Sequence, residues 1–321
     1  MTNSSEKGKN QYTIAFYNLE NLFDTKDDPK TMDDDFTEKS VRQWDEKRFR
    51  KKIKKLGRII SNIGYKDIQH PPVILGVAEV ENEFVMRELA SSKFLKEKNY
   101  DYVHFDSPDE RGIDTALLYR PEYFKVISKE AISLYVTTPL GKRDFTRDIL
   151  YVKGSLEGEV LHVLVNHWPS RRAGAEVTNY RRMVASKKNQ EISAKIRSED
   201  PNARIIIMGD FNDDPHSESV QALVSEQMYN PMELLLTRNE GSVTYKGNWN
   251  LFDQIILSQN FLQMHGNNFR FETAKIFNAT NLKEYKGRYK GNPFRTFAGR
   301  KYLGGISDHF PVYSIFSIHS D

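Results

Sequence analysis

The chain has 321 residues, no cysteine, and 47 basic against 44 acidic side chains, a net charge of +3. The missing thiols exclude disulfides and thiolate metal sites, so a bound metal would have to be held by oxygen or imidazole, which favours magnesium, manganese or calcium. A charge this small excludes bulk electrostatics as an argument for nucleic acid or membrane, and any anion recognition must be local.

The first residues, MTNSSEKGKN, lack the hydrophobic segment of an export signal, and no apolar run approaches membrane-spanning length. The expected location is cytoplasmic as written, or periplasmic or secreted if a leader has been removed. Residues 1–10 read as a polar tail. QYTIAFYN then reads as a strand ending at Asn18, and residues 24–45, rich in Asp and Lys, as a surface loop. From Asp45 to Gly64 the apolar residues Phe49, Ile53, Leu56, Ile60 and Ile63 keep helical spacing, and Gly64 suits a helix end. PPVILGVAEVEN reads as a buried strand ending at Glu79, followed by a short helix to Ser91. A strand-rich middle follows in YDYVHF, DTALLY, the stretch from Phe124 to Val136, TRDILYVKGSL and EVLHVLVN. A helix from Ala175 to Arg197 leads into the strand IIIMGD, a shorter helix follows Ser217, and LFDQIIL and PVYSIFSI are the last strands. Helices alternating with strands at both ends of a strand-rich middle predict an α/β fold, a four-layered sandwich of two face-to-face mixed sheets flanked by helices. With no internal boundary, linker or solenoid repeat, residues 11–321 read as a single domain.

Asn18, Glu79, His167 and Asp210 each fall where an apolar strand stops, and the carboxyl ends of strands are where α/β folds place ligands. Asp308 and His309 precede the final strand and join the same rim if that strand runs antiparallel to the others. Asp253, inside LFDQIIL, would lie beneath the site, where a buried carboxylate needs a partner such as histidine. Acids crowded in GDFNDDP repel one another unless something positive sits among them. A hard divalent ion that keeps waters and accepts carboxylate and phosphate oxygens meets that need and can polarise a phosphoryl oxygen.

In order along the chain, AFYNLENLF, GVAEVEN, RGIDTALLYRP, FTRDIL, VNHWPSR, IIMGDFNDDP, LFDQIILS and GGISDHFPV resemble the motifs of the endonuclease/exonuclease/phosphatase superfamily. The resemblance runs from Tyr12 to Ile318 and implies divalent-metal hydrolysis of a phosphoester on the four-layered sandwich. By position, it implies that Glu79 binds the metal with Asn18 beside it, and that Asp308 is a further metal or supporting ligand. Asp210 matches the residue that binds or activates the attacking water, and Asn212 the amide that orients water or phosphate. His309 matches the histidine at the scissile phosphate, held by Asp253, and His167 the second histidine of deoxyribonuclease-like members. Arg147 matches a phosphate-contacting arginine. Asp114, in RGIDT, would orient His167 as Asp253 orients His309.

Two basic stretches bear on the substrate. KRFRKKIKK, residues 47–55, has seven basic residues in nine, but a helix burying Phe49 and Ile53 needs a wet opposite face, and a solvated surface is the expectation. Residues 281–302 interleave basic residues with Tyr285, Tyr289, Phe294, Phe297 and Tyr302 just before Ser307-Asp308-His309, a mix suited to phosphate clamping and base stacking. The acidic loop 24–45 would repel a long polyanion if it lay at the mouth of the site. The leading expectation is a magnesium- or manganese-dependent phosphodiesterase, a nuclease acting as a monomer on nucleic acid. The alternatives are a phosphatase or phosphodiesterase for a small or lipid phosphoester, and a catalytically silent binding module.

Overall fold

The computed structural model of the protein describes residues 11–172, 174–224, 227–263 and 269–318; the polar tail expected at 1–10 lies outside them. Two six-stranded sheets carry the fold. The first holds β1 (Gln11–Leu22), β2 (Ile74–Val80), β3 (Asp101–His104), β4 (Asp114–Tyr119), β11 (Phe269–Ile276) and β12 (Val312–Ile318), in the order β11-β12-β1-β2-β4-β3. The second holds β5 (Phe124–Ile132), β6 (Ile149–Leu156), β7 (Glu159–His167), β8 (Arg204–Asp210), β9 (Met228–Tyr229) and β10 (Asp253–Ser258), in the order β9-β10-β8-β7-β6-β5. In each sheet the central pair, β1 with β2 and β7 with β8, is parallel. The last strand β12 runs antiparallel to β1, as the rim argument requires.

The period-two side-chain alternation of the central strands sorts their residues into different cores. In β1, Tyr12, Ile14 and Phe16 enter the core between the sheets, while Ala15, Tyr17 and Leu19 enter a core shared with the helices α1 (Glu46–Ile60) and α2 (Glu83–Ala90). In β8, Ile206 and Met208 face the other sheet, and Ile205 and Ile207 pack with α3 (Asn179–Glu199) and α4 (Glu218–Leu223). Helix, sheet, sheet and helix therefore stack as four layers. The sheets approach closely at Gly76, where a Cβ would stand 2.6 Å from Met208 Sδ.

The structure differs from the sequence expectation in β1, in the edge strands β9 and β11, and on the face of α1. β1 does not stop at Asn18 but continues to Leu22 through a register shift against β2, with Glu20 and Asn21 at φ 51° and 50°. The edge strand β11 was not anticipated, because its alternation is broken by an irregularity between Phe271 and Thr273 and most of its residues are only half-buried. The face of α1 is not wholly wet: Lys52 is 2% exposed. Its Nζ donates to the Glu20 carbonyl and to Thr296 Oγ1, so one of the seven basic residues serves the bulge of β1.

Candidate active site

The carboxyl ends of the two parallel pairs meet at one rim. Asp210 lies level with His167 on β7 and with Asp253 on β10. Asn18, from the other sheet, donates from Nδ2 to Asp210 Oδ2 at 3.0 Å, so the two sheets are stitched together at the site itself. Gly209 is required here by close approach, since a Cβ would lie 2.3 Å from the Asn166 carbonyl oxygen of β7. Glu79, at φ 62°, is the penultimate residue of β2, with Oε2 accepting the Asn21 backbone N–H at 2.7 Å. The bulge of β1 and the left-handed residue of β2 thus face each other, and such backbone strain persists only where its surroundings hold it.

Both histidines converge on Asp210. His309 Nε2 is 3.9 Å and His167 Nε2 3.8 Å from Asp210 Oδ2, and His167 Nε2 is also 3.9 Å from Glu79 Oε1. Their charge states differ. Burial alone would push His309 down, but the Asp253 carboxylate, 2.6 Å from Nδ1, outweighs it and holds the imidazolium well above its ordinary value. His167 is driven well below its ordinary value by burial and by the charges of Arg147, Arg111 and His309, so it is neutral. Its Nδ1 has no partner among the described residues. An unpaired lone pair is tolerated in the interior better than an unpaired N–H, which places the His167 proton on Nε2, facing Glu79 and Asp210. Burial, opposed by His309 and reinforced by Asp253, raises Asp210 to about 6.

Asn212 sits at φ 49° with its backbone N–H on Asp210 Oδ1 (2.9 Å) and its Nδ2 on the Trp168 carbonyl (2.9 Å). The turn is pinned by Arg171, unremarked in the sequence, whose Nε donates to the Asn212 carbonyl at 2.6 Å. Arg171 also shares the buried Asp213 carboxylate with Arg182. The acids behind GDFN are thus met partly by arginine, with Arg171 reaching both Asp213 and Asp214.

Two expected assignments are corrected. Asp114 does not orient His167: its Oδ2 pairs with His104 Nε2 at 3.0 Å and its Oδ1 accepts the Ser107 N–H. The neighbouring strand β3, paired with β4 at His104 and Ala116, brings His104 beside it. Arg147 is buried, with Nη1 on Asp109 Oδ2 (3.0 Å) and Nη2 on the Trp168 carbonyl (2.8 Å), so it braces the rim from below and is not open to a substrate. Arg147→Ala would leave the buried Asp109 charge uncompensated and is expected to lower stability by about 3–5 kcal/mol, read as a shifted denaturant midpoint.

Asp308 is placed at the rim, but its Oδ2 is taken by Arg295 at 2.6 Å, while Oδ1 lies 4.0 Å from His309 Nε2. Arg295 also reaches Glu20, whose buried carboxyl is raised to about 7 by burial and by Asp308, against the pull of Lys52. Arg295, Glu20 and Lys52 lie far apart in the chain, and no spacing announced them.

The carboxylates open to a metal are those retaining exposure: Glu79, 13% exposed at its side chain, and Asp308, 28%. Asp210, Asp253 and His309 also offer ligand atoms within 4.8 Å of one another, as do His104, Asp106 and Asp114. In the first of these groups the His309 proton already supplies the positive charge an ion would bring, so Glu79 at the mouth is the better fit. The donors there are oxygen atoms, as a hard cation prefers.

A sequence profile described as the Endonuclease/Exonuclease/phosphatase family matches residues 13–317. The chain belongs to this family. Members of the endonuclease/exonuclease/phosphatase family are hydrolytic phosphoesterases, generally dependent on a divalent metal. Solved structures share the fold at low identity. An endonuclease/exonuclease/phosphatase family protein from Bacteroides thetaiotaomicron has a TM-score of 0.59 at 17% identity, covering 97% of this chain and 99% of its own. D. rerio TDP2, complexed with single strand DNA product, has a TM-score of 0.55 at 17% identity, covering 96% and 99%. A mannosyl-6-phosphatase from Bacteroides thetaiotaomicron VPI-5482 has a TM-score of 0.54 at 18% identity, covering 96% and 100%. No curated protein sequence matches the chain. No helix among the described residues is long and apolar enough to cross a membrane.

Proposed function

We propose that the protein is a magnesium- or manganese-dependent phosphodiesterase acting on nucleic acid. The observation that carries the chemistry is the convergence of His309 and His167 on Asp210 within 4 Å, with His309 charged by Asp253 and His167 neutral. A carboxylate with a proton affinity near neutral suits a base for the attacking water. Asn18 and the Asn212 N–H each occupy one of the Asp210 oxygens and fix its direction. His309, charged and held from behind, neutralises the developing charge on the phosphate, and the His167 N–H adds a second donor. Glu79, with Asp308 and Asn18 nearby, would hold the metal, which supplies Lewis acidity at the phosphoryl oxygen. The reaction then needs positioning and charge neutralisation, and no covalent intermediate.

The nucleic-acid part rests on the loop before His309. Tyr285 and Tyr289 are exposed, and Lys283 Nζ lies 5.8 Å from the Phe310 ring centroid, beside His309. Exposed aromatics interleaved with cations offer bases a stacking surface. The competing reading, a phosphatase for a small phosphoester, is favoured by the likeness to the mannosyl-6-phosphatase. A silent binding module would have no need of an imidazolium aimed at a carboxylate.

Magnesium-supported cleavage of single-stranded oligonucleotides and of bis(p-nitrophenyl) phosphate is expected, with both lost in EDTA and restored by added metal. Cleavage of small phosphate esters with intact DNA and RNA would move the assignment to a small-molecule phosphoesterase. Activity that survives chelation would overturn the metal requirement.

A further inference from the structure

With Arg147 buried beneath the rim, the site lacks the arginine that its resemblance implies. The loop between β3 and β4 supplies another. It is clamped from several sides: Arg111 donates its backbone N–H to Asp109 Oδ1 at 3.0 Å, and Asp109 Oδ2 takes Arg147 Nη1. The Glu110 carbonyl accepts the Met32 N–H at 2.8 Å, and Gly112, at φ 65°, packs so closely on Thr31 that a Cβ would stand 2.8 Å away. The backbone that carries Arg111 is therefore fixed to the braced floor of the site.

The guanidinium reaches inward from this base. Its Nη2 donates to Asn21 Oδ1 at 2.6 Å and lies 3.9 Å from Glu79 Oε2, while 38% of the side chain remains exposed. Glu79 Oε2 is already bonded to the Asn21 N–H, and at 3.9 Å the pair is too long for a hydrogen bond. A half-exposed ion pair of this kind contributes little. Asn21, a neutral amide, orients the guanidinium without neutralising it. The remaining N–H groups form a planar fork of the kind that matches phosphate oxygens. A cation bound at Glu79 would repel Arg111 unless an anion lay between them, and a phosphate with unesterified oxygens can contact both.

We propose that Arg111 is a substrate-phosphate contact of this site, taking an unesterified oxygen of a phosphate ester through its rim-exposed guanidinium. The assignment rests on the phosphoesterase reading above and adds a residue to it. Arg147 then acts through Asp109 as a positioning residue for the Arg111 loop.

The test is calorimetric titration of inorganic phosphate into wild-type, Arg111→Ala and Arg111→Lys proteins at saturating manganese, beside kinetics on bis(p-nitrophenyl) phosphate. Losing a charge-assisted contact should weaken phosphate binding about 10- to 100-fold in Arg111→Ala, with kcat/KM falling alongside, an intermediate loss in Arg111→Lys, and partial rescue of Arg111→Ala by added guanidinium. Manganese affinity measured alone should be unchanged or higher in Arg111→Ala, since a repelling charge 3.9 Å from Glu79 is removed, and the melting temperature should be preserved. Phosphate affinity unchanged within about twofold, or a loss explained wholly by weaker manganese binding, would overturn the proposal, as would a wild type that binds no phosphate with manganese present. Arg111-dependent phosphate binding with no hydrolysis of any ester would sink the enzymatic reading and leave the contact standing.

Discussion

Replacing Asp210 with alanine is expected to lower kcat by about 10⁴-fold, the upper range for removing a positioned base, while leaving the protein folded. The carboxylate is the point where both sheets meet: Asn18 binds one oxygen, the Asn212 N–H the other, and two histidine Nε2 atoms stand within 4 Å. Removing it takes away the base and the counter-charge of His309 together. Asn18 loses one hydrogen bond, but its Oδ1 still accepts the Glu20 N–H, so the bulge of β1 stays anchored. Asp210→Asn separates the two functions, because it preserves the hydrogen-bonding shape and deletes the proton acceptor. Both variants should be comparably inactive on oligonucleotide and on bis(p-nitrophenyl) phosphate. Turnover near the wild-type rate in either one would remove Asp210 from the chemistry.

The layers and the rim were legible in the sequence because both depend on local pattern. Near-continuous apolar runs in QYTIAFYN and IIIMGD mark strands buried on both faces, and the second ends on Asp210 as expected, whereas the first passes Asn18 and runs on to Leu22. Residues so far apart as Asn18, Glu79, His167, Asp210, Asp253 and His309 could be grouped because strand ends in an α/β fold share an edge. Pairings across the chain were not legible. Asp114 and Asp253 are both acids in strands near a histidine, yet Asp253 lies level with Asp210 and reaches His309, while Asp114 meets His104 of the adjacent strand. Arg147, expected at the phosphate, is buried, while Arg111, to which no role was assigned from sequence, keeps an exposed guanidinium, because burial depth and not residue type decides which one stays open. Lys52 was hidden in a basic run, and its burial is explained by partners distant in the chain, the Glu20 carbonyl at the bulge and Thr296 Oγ1.

The second large effect is expected at His309. His309→Gln should lower kcat by about 10²–10³-fold, the loss seen when one donor to a developing negative charge is removed. Asp253→Asn tests the cause of that charge. In the wild type the Asp253 carboxylate overcomes the burial penalty and raises His309 above its ordinary value, so the charged form and the rate that depends on it persist through neutral pH. With asparagine in place of Asp253, burial acts unopposed by that carboxylate, and the alkaline fall of kcat/KM should move to lower pH. Stability must follow the same sign. A histidine whose folded value is raised contributes stability that is fully present below the unfolded value of about 6.5, and loses it as pH rises through the folded value. Chemical denaturation should therefore show a wild-type stability that declines with rising pH above about 6.5, and an Asp253→Asn protein in which this decline is shallower, the part that remains coming from the raised Glu20 and Glu81 carboxyls. An unshifted pH–rate profile in Asp253→Asn would mean that the His309 charge owes nothing to the carboxylate 2.6 Å away, and the electrostatic account of the site would fail with it.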